Sequence, residues 1–177
     1  TSDYASASYY YVNKSSLPKV YGGFNTSLSW KGFDLSAIFA YSIGGYIYNR
    51  DITMILHNGS LEGRDWSTEI LKRWTPENRY TDVPALSTTS NNWNSASTRF
   101  LQNNSYMRLK NLTLSYDLPK QWISKLALSS VQVFVQGDNL FTIHRNQGLD
   151  PEQGITGITY YRYPAMRTIS GGINLSF

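Results

Sequence analysis

Two histidines, His57 and His144, and the acidic run Asp150-Pro151-Glu152 with Asp138 upstream are the residues whose types suit acid–base or metal chemistry. Neither histidine has a second ligand at a metal-binding spacing, such as another His four residues along a helix. Both fall in or near stretches expected to be loops, so each reads as a solvated surface side chain. The acidic run offers the oxygens that calcium takes, but its spacing departs from the EF-hand loop. A turn in which the Asp150 side chain bonds the backbone ahead of Pro151 explains it more simply. Neither a Gly-x-Ser-x-Gly elbow nor paired acids on one element occur. The sequence points to no catalytic residue, no metal ligand and no cofactor.

The elements around these residues are strands. Over Arg167 to Phe177, Ile169, Ile173, Leu175 and Phe177 fall on one face of an extended chain, and Thr168, Ser170, Asn174 and Ser176 on the other. From Tyr21, the residues Phe24, Thr26, Leu28 and Trp30 alternate with Asn25, Ser27, Ser29 and Lys31. Lys31-Gly32 predicts a tight turn, since glycine takes backbone angles that other residues resist. Then Phe33, Leu35, Ala37, Phe39, Tyr41 and Ile43 alternate with Asp34, Ser36, Ala40, Ser42 and Gly44. A third strand is expected from about Tyr106 to Leu118, with Leu112, Leu114, Tyr116 and Leu118 opposite Asn111, Thr113, Ser115 and Asp117. A fourth starts near Val131, with Val131, Val133 and Val135 on the apolar face and Gln132 and Gln136 opposite. Phe134 departs to the polar phase, where it reads as packing.

Such strands suit a membrane. The terminal alternation has the length of a transmembrane strand, about 9 to 11 residues. Charged residues are only 16%, against about 25% in soluble domains, while aromatics reach 15% with 14 Tyr and 5 Trp. No run approaches the roughly 18 apolar residues of a membrane helix, so any crossing must be made by strands. The net charge of +4 comes from scattered Lys and Arg, with no nucleic-acid motif. The absence of Cys suits a Gram-negative envelope but decides little. No signal peptide marks the start, so the chain is expected to be a mature segment or an internal fragment.

Tyr106, Arg108 and Lys110 continue the apolar phase of the third strand. Charges there would cost about 2 to 4 kcal/mol each at the bilayer midplane, so that half is expected to stand above the membrane. The connections differ in length. Lys31-Gly32 and Pro119 to Ser130 are short, the latter opening on a helical turn with Pro119 at its first position. Tyr46 to Ser105 and Thr142 to Met166 are long. Barrels put short turns in the periplasm and long loops outside, so Phe177 should end in the periplasm. In the first long loop Asp65 is expected to cap a helix carrying Trp66, Ile70 and Trp74 at four-residue spacing, stopped by Pro76.

These residues resemble a known family. The runs Arg108-Leu-Lys-Asn-Leu-Thr-Leu-Ser-Tyr-Asp-Leu-Pro119, Val133-Phe-Val-Gln-Gly-Asp-Asn-Leu-Phe-Thr142 and Gly148-Leu-Asp-Pro-Glu152 are similar to the C-terminal part of SusC/RagA-type TonB-dependent outer-membrane transporters. So are Tyr163-Pro164 before Arg167-Thr168, the ending Ile173-Asn-Leu-Ser-Phe177, Tyr21 to Phe33, and Arg73-Trp-Thr-Pro-Glu-Asn78. The resemblance implies an all-β fold in which these five antiparallel strands are the C-terminal part of a transmembrane barrel of roughly 22 strands with a plugged lumen. Residues 1–177 would then be the C-terminal portion of the barrel, with the plug and earlier strands on one or more separate chains and Thr1 in an extracellular loop. The implied partners are that remaining N-terminal part, a SusD-like surface lipoprotein acting as a lid, TonB through the N-terminal segment, and outer-membrane lipid.

The implied function is import of oligosaccharides or peptides across the outer membrane of a Gram-negative bacterium, without enzymatic chemistry. Asn25, Ser27, Ser29, Asp34, Ser36, Asn111, Thr113, Ser115, Gln132, Gln136, Asn174 and Ser176 are the expected lumen-facing wall, polar and mostly neutral. Trp66, Trp74, Trp93, Tyr160 and Tyr161 are the candidates for ligand or lid contact, because sugar rings stack on flat apolar faces. A soluble carbohydrate-binding β-sandwich would also be rich in Tyr and Trp, but its apolar faces would close into a core. An outer-membrane hydrolase barrel would need a Ser-His pair that the sequence does not display.

Overall fold

The computed structural model describes residues 3–58, 61, 63–87, 92–124 and 128–177, without the side chain of Trp93. Its strands divide between two compact units. One comprises Pro18–Gly45, Asn104–Glu152 and Tyr163–Phe177; the other comprises Thr1–Leu17, Tyr46–Asn103 and Gln153–Arg162.

The first unit is a single five-stranded sheet made of β1 (Val20–Trp30), β2 (Phe33–Ile43), β5 (Tyr106–Asp117), β6 (Ser130–His144) and β8 (Thr168–Ser176), in that order. Every neighbouring pair is antiparallel. All five expected strands are present. Their order follows the chain, as antiparallel neighbours joined by direct connections require. The β1–β2 turn places Lys31 at φ 49° and Gly32 at φ 87°, the paired left-handed conformation of a two-residue hairpin. A short helix, α2 (Lys120–Ile123), joins β5 to β6 with Pro119 as its N-cap rather than its first residue.

Register decides which side chains share a face. Phe24, Thr26, Leu28 and Trp30 stand opposite Phe39, Ala37, Leu35 and Phe33, and Leu35 and Ala37 stand opposite Leu114 and Leu112. Leu114 and Tyr116 face Val135 and Val133, which face Gly171 and Ile173. The apolar positions thus form one continuous face with stacked cross-strand rings, Phe24 on Phe39 at 4.7 Å and Phe33 by Tyr116 at 4.4 Å. This face is open: Leu28 is 66% exposed, Ile173 63% and Leu175 51%. A two-layer sandwich would cover it.

The first half of β5 departs from the expected phase. The register slips at Lys110: Ile38 pairs with Asn111 but Phe39 pairs with Leu109. This bulge moves Met107 and Leu109 onto the apolar face and turns Tyr106 and Arg108 onto the polar one. Arg108 is buried there, so the charge expected to lie on the lipid-side phase does not face lipid.

The second unit was expected to hold loops and one helix. It contains a three-stranded sheet of β4 (Leu101–Asn103), β3 (Tyr46–Asn49) and β7 (Ile158–Thr159), with a helix α1 (Arg50–Ile55) whose N-cap Asn49 accepts from the Ile52 amide. The helix expected from Asp65 is instead a five-residue 3-10 turn over Thr68–Lys72, capped by Ser67. Only Ile70 of the expected stripe is buried in it, and Trp66 and Trp74 flank the turn. The Ser67 hydroxyl takes the Glu69 amide, so the local capping signal lay two residues beyond Asp65.

Candidate functional site

The polar face of the five-stranded sheet carries every residue expected on one side. Ser27 stands opposite Ser36, Ser29 opposite Asp34, Ser36 opposite Thr113, Thr113 opposite Gln136, and Gln132 opposite Asn174. Asn25, Asn111, Ser115 and Ser176 complete it. Short hydroxyl, amide and carboxylate groups at cross-strand distance bond one another along it. Asn174 donates to Gln132 at 3.2 Å and Gln132 to Asp117 at 3.0 Å. Asn111 and Gln136 both donate to Asp138, the former at 2.8 Å, and the Ser29 hydroxyl donates to Asp34. Asp138 is therefore occupied by amides and takes no part in the acidic run at Asp150. Phe134, on the same face, lies over Gly172, where a Cβ would come within 2.8 Å of its ring.

At the β5 end beyond the bulge lies a cluster of charges. Arg108 Nη2 donates to Asp150 at 2.6 Å and Nη1 to Glu152 at 2.8 Å, while Nε donates to the Thr142 hydroxyl at 3.0 Å. Lys110 Nζ reaches Glu152 at 2.5 Å. Asp150 also accepts from the amides of Glu152 and Ala165, at 2.8 and 2.7 Å. Burial disfavours its carboxylate, but these amides and Arg108 outweigh burial and hold its pKa below the ordinary carboxylate range. The bond to the Glu152 amide is the expected turn ahead of Pro151; the arginine is the part the sequence reading missed. Among the described residues no three His, Cys, Asp or Glu side chains gather as a metal site.

In the other unit, His57 departs from expectation: it is 1% exposed rather than solvated. The Trp66 indole N–H donates to its Nδ1 at 2.9 Å, and since indole can only donate, that nitrogen is the acceptor. His144 is exposed as expected. Tyr160 and Tyr161 lie with ring centroids 4.2 Å apart, Arg50 sits over the Tyr160 ring at 4.7 Å, and the Tyr161 amide donates to Asp51 at 2.9 Å. Trp74 is held separately, its amide donating to the Val83 carbonyl at 2.8 Å. The Trp93 side chain lies outside the described residues. Of the loop aromatics, the structure thus joins Tyr160 to Tyr161 and ties Trp66 to a buried histidine. Burial raises the pKa of Tyr48, on β3, against the pull of the Ser97 backbone.

No protein-family model matches the chain. TonB-dependent receptor P3 of Formosa agariphila is 33% identical over 166 residues, which is 88% of this chain and 16% of that protein. TonB-dependent receptor SusC of Bacteroides thetaiotaomicron is 27% identical over 168 residues, again 16% of its length. Among solved structures, that of the RagAB peptide transporter superposes on 94% of this chain and 18% of its own at a TM-score of 0.82, with 35% identity. The chain spans about a sixth of the curated relatives it matches. These relatives are receptors and transporters, and the family resides in the outer membrane of Gram-negative bacteria. By sequence and by the five-stranded sheet with its two unlike faces, the chain belongs with the SusC/RagA-type TonB-dependent receptors.

Proposed function

We propose that this chain is the C-terminal portion of the barrel of an outer-membrane importer, which takes up oligosaccharides or peptides together with a SusD-like surface lipoprotein and is energised through TonB. The observation that carries the reading is the sheet itself, with one face apolar and solvent-open, Leu28, Ile173 and Leu175 among its residues, and the other a bonded row of side-chain amides with the carboxylates of Asp117 and Asp138. Such a sheet needs lipid on one side and a wet lumen on the other. Among the described residues β1 and β8 pair on one side only. Unpaired backbone at an edge is not tolerated in a bilayer, so further strands must continue the sheet. In this reading the polar row lines the lumen, the short turns lie in the periplasm, and the long connections face outward with Tyr160 and Tyr161 in position to meet ligand or lid.

The importer moves its substrate without changing it; its residues bind and align rather than react. Uptake of labelled oligopeptides and oligosaccharides by cells carrying the whole receptor tests this. Accumulation of one class, abolished by deleting the receptor gene or TonB, is the expected result. Unchanged accumulation after both deletions would overturn the reading.

A further inference from the structure

β3 and β7 run parallel, with Tyr48 opposite Ile158 and Asn49 opposite Thr159. Both strands end there, so the register brings together the residues that follow each of them. Arg50 and Asp51 open α1 on one side, and Tyr160 and Tyr161 leave β7 on the other. All four belong to one unit. Their contacts follow the register: Arg50 stands over the Tyr160 ring at 4.7 Å, and Asp51 accepts the Tyr161 amide at 2.9 Å. The pair of rings is held against a backbone preference. Tyr161 has φ 50°, a left-handed conformation that bulky residues seldom take and that glycine would hold without strain. Strain of this kind collects at ligand-binding sites, where the surroundings enforce it. Here the Asp51 carboxylate enforces it, and the result is a ring 68% exposed beside another 43% exposed.

The cation over these rings is uncommitted. Among the described residues no carboxylate pairs with Arg50, and its chain neighbour Asp51 is turned to the Tyr161 amide. Arg64 has no carboxylate partner either, and its charge reaches the Tyr160 hydroxyl together with that of Arg50. Arg108 is the contrast, saturated by Asp150, Glu152 and Thr142. A guanidinium carries five N–H donors in a planar fork that matches a carboxylate or a sulfate, while its face rests on an aromatic ring. The tyrosine faces beside it cover the apolar part of whatever bears that anion.

We propose that Arg50, seated on Tyr160 and next to Tyr161, is an anion-binding subsite that takes a carboxylate or sulfate group of the cargo, with Asp51 as the residue that positions the rings. The proposal rests on the import reading above.

The test uses the whole receptor, assembled with its surface lipoprotein and purified in detergent. Two matched pairs are titrated by calorimetry: a disaccharide with and without one sulfate ester, and an end-blocked glycine pentapeptide with glutamate or glutamine at its centre. In at least one pair the charged member is expected to bind about tenfold more tightly than its neutral counterpart, the worth of a hydrogen bond to a charged group. The pair that shows the preference identifies the kind of cargo that carries the anion. Arg50→Gln should abolish the preference and Arg50→Lys keep part of it, since an ammonium has the charge without the fork. Asp51 is judged on the neutral members, where its own charge has no say: Asp51→Ala should weaken them and Asp51→Asn, whose side-chain oxygen still accepts the Tyr161 amide, should restore them. Equal weakening by both Asp51 variants would overturn the positioning role. No charge preference in either pair, absence of binding included, or a preference unchanged in Arg50→Gln, would overturn the subsite, while uptake of neutral cargo that needs the receptor gene and TonB would still uphold the import reading. Uptake that survives both deletions would overturn both.

Discussion

Arg108 and Asp150 meet at 2.6 Å with side chains only 4% and 7% exposed, although the arginine sits on a strand of alternating polar and apolar residues and the aspartate in the connection after the next strand. The bulge at Lys110 makes the meeting possible by turning Arg108 off the apolar face. A buried pair is most costly when one partner goes, because the other is left as an uncompensated charge. Arg108→Met and Asp150→Leu should each destabilise the folded receptor by about 3–5 kcal/mol, and the double variant by clearly less than their sum. Urea unfolding in lipid vesicles gives the three values. Additive losses would show that the pair contributes no coupling.

The same carboxylate sets a pH dependence. Its pKa is depressed in the folded state, so the folded form binds its proton less readily than the unfolded form, whose value is about 3.9. The stabilisation is therefore complete above that value and is lost as the pH falls through the lower folded value. The Ala165 amide, which donates to Asp150 at 2.7 Å, reports it directly. Its hydrogen-exchange protection, corrected for intrinsic rates, should be constant from about pH 5 to 8 and fall in strong acid. In Asp150→Asn it should be low throughout, with no acid step.

Gly172 and Phe134 make a second couple across β6 and β8. A Cβ on Gly172 would stand 2.8 Å from the ring edge of Phe134. Gly172→Val should cost about 1–3 kcal/mol by forcing the ring aside. Phe134→Ala in the same chain should return most of that loss, measured by the same unfolding experiment. If Phe134→Ala fails to rescue, the strain lies in the backbone of β8 rather than in this contact.

The five strands were legible because each has two unlike surroundings, which imposes a period of two on residues such as Leu112, Thr113, Leu114 and Ser115. The bulge was legible too, by a signal that was not used. Met107 and Leu109 are odd-numbered while Leu112 and Leu114 are even-numbered, and a phase change in the apolar residues marks one extra residue between them. Arg108 and Lys110 on an apparent apolar phase belong to the same signal, since the inserted residue puts Arg108 on the polar face. The polar row followed from the same alternation, since register alone brings Asn111 to Asp138 and Gln132 to Asn174. The small sheet of β3, β4 and β7 could not be seen, because strands of four, three and two residues from distant segments carry no period of their own. The spacing of Trp66, Ile70 and Trp74 imitated a helix, and the burial of His57 under Trp66 depended on a fold between them that no local pattern records.

The two faces themselves can be tested at adjacent residues. Leu114 is 41% exposed on the apolar face, and Ser115 beside it stands on the polar face, opposite Asp34 and Phe134. In a lipid bilayer, an arginine at Leu114 must bring its charge into hydrocarbon, a cost of about 2–4 kcal/mol near the midplane. An arginine at Ser115 would meet water and the Asp34 carboxylate. Leu114→Arg should therefore reduce the fraction of receptor that folds into vesicles, read by heat-dependent gel mobility, while Ser115→Arg leaves it near that of the unaltered protein. Equal losses at both positions would mean that the two faces do not meet two different solvents, and the barrel reading would fall with them.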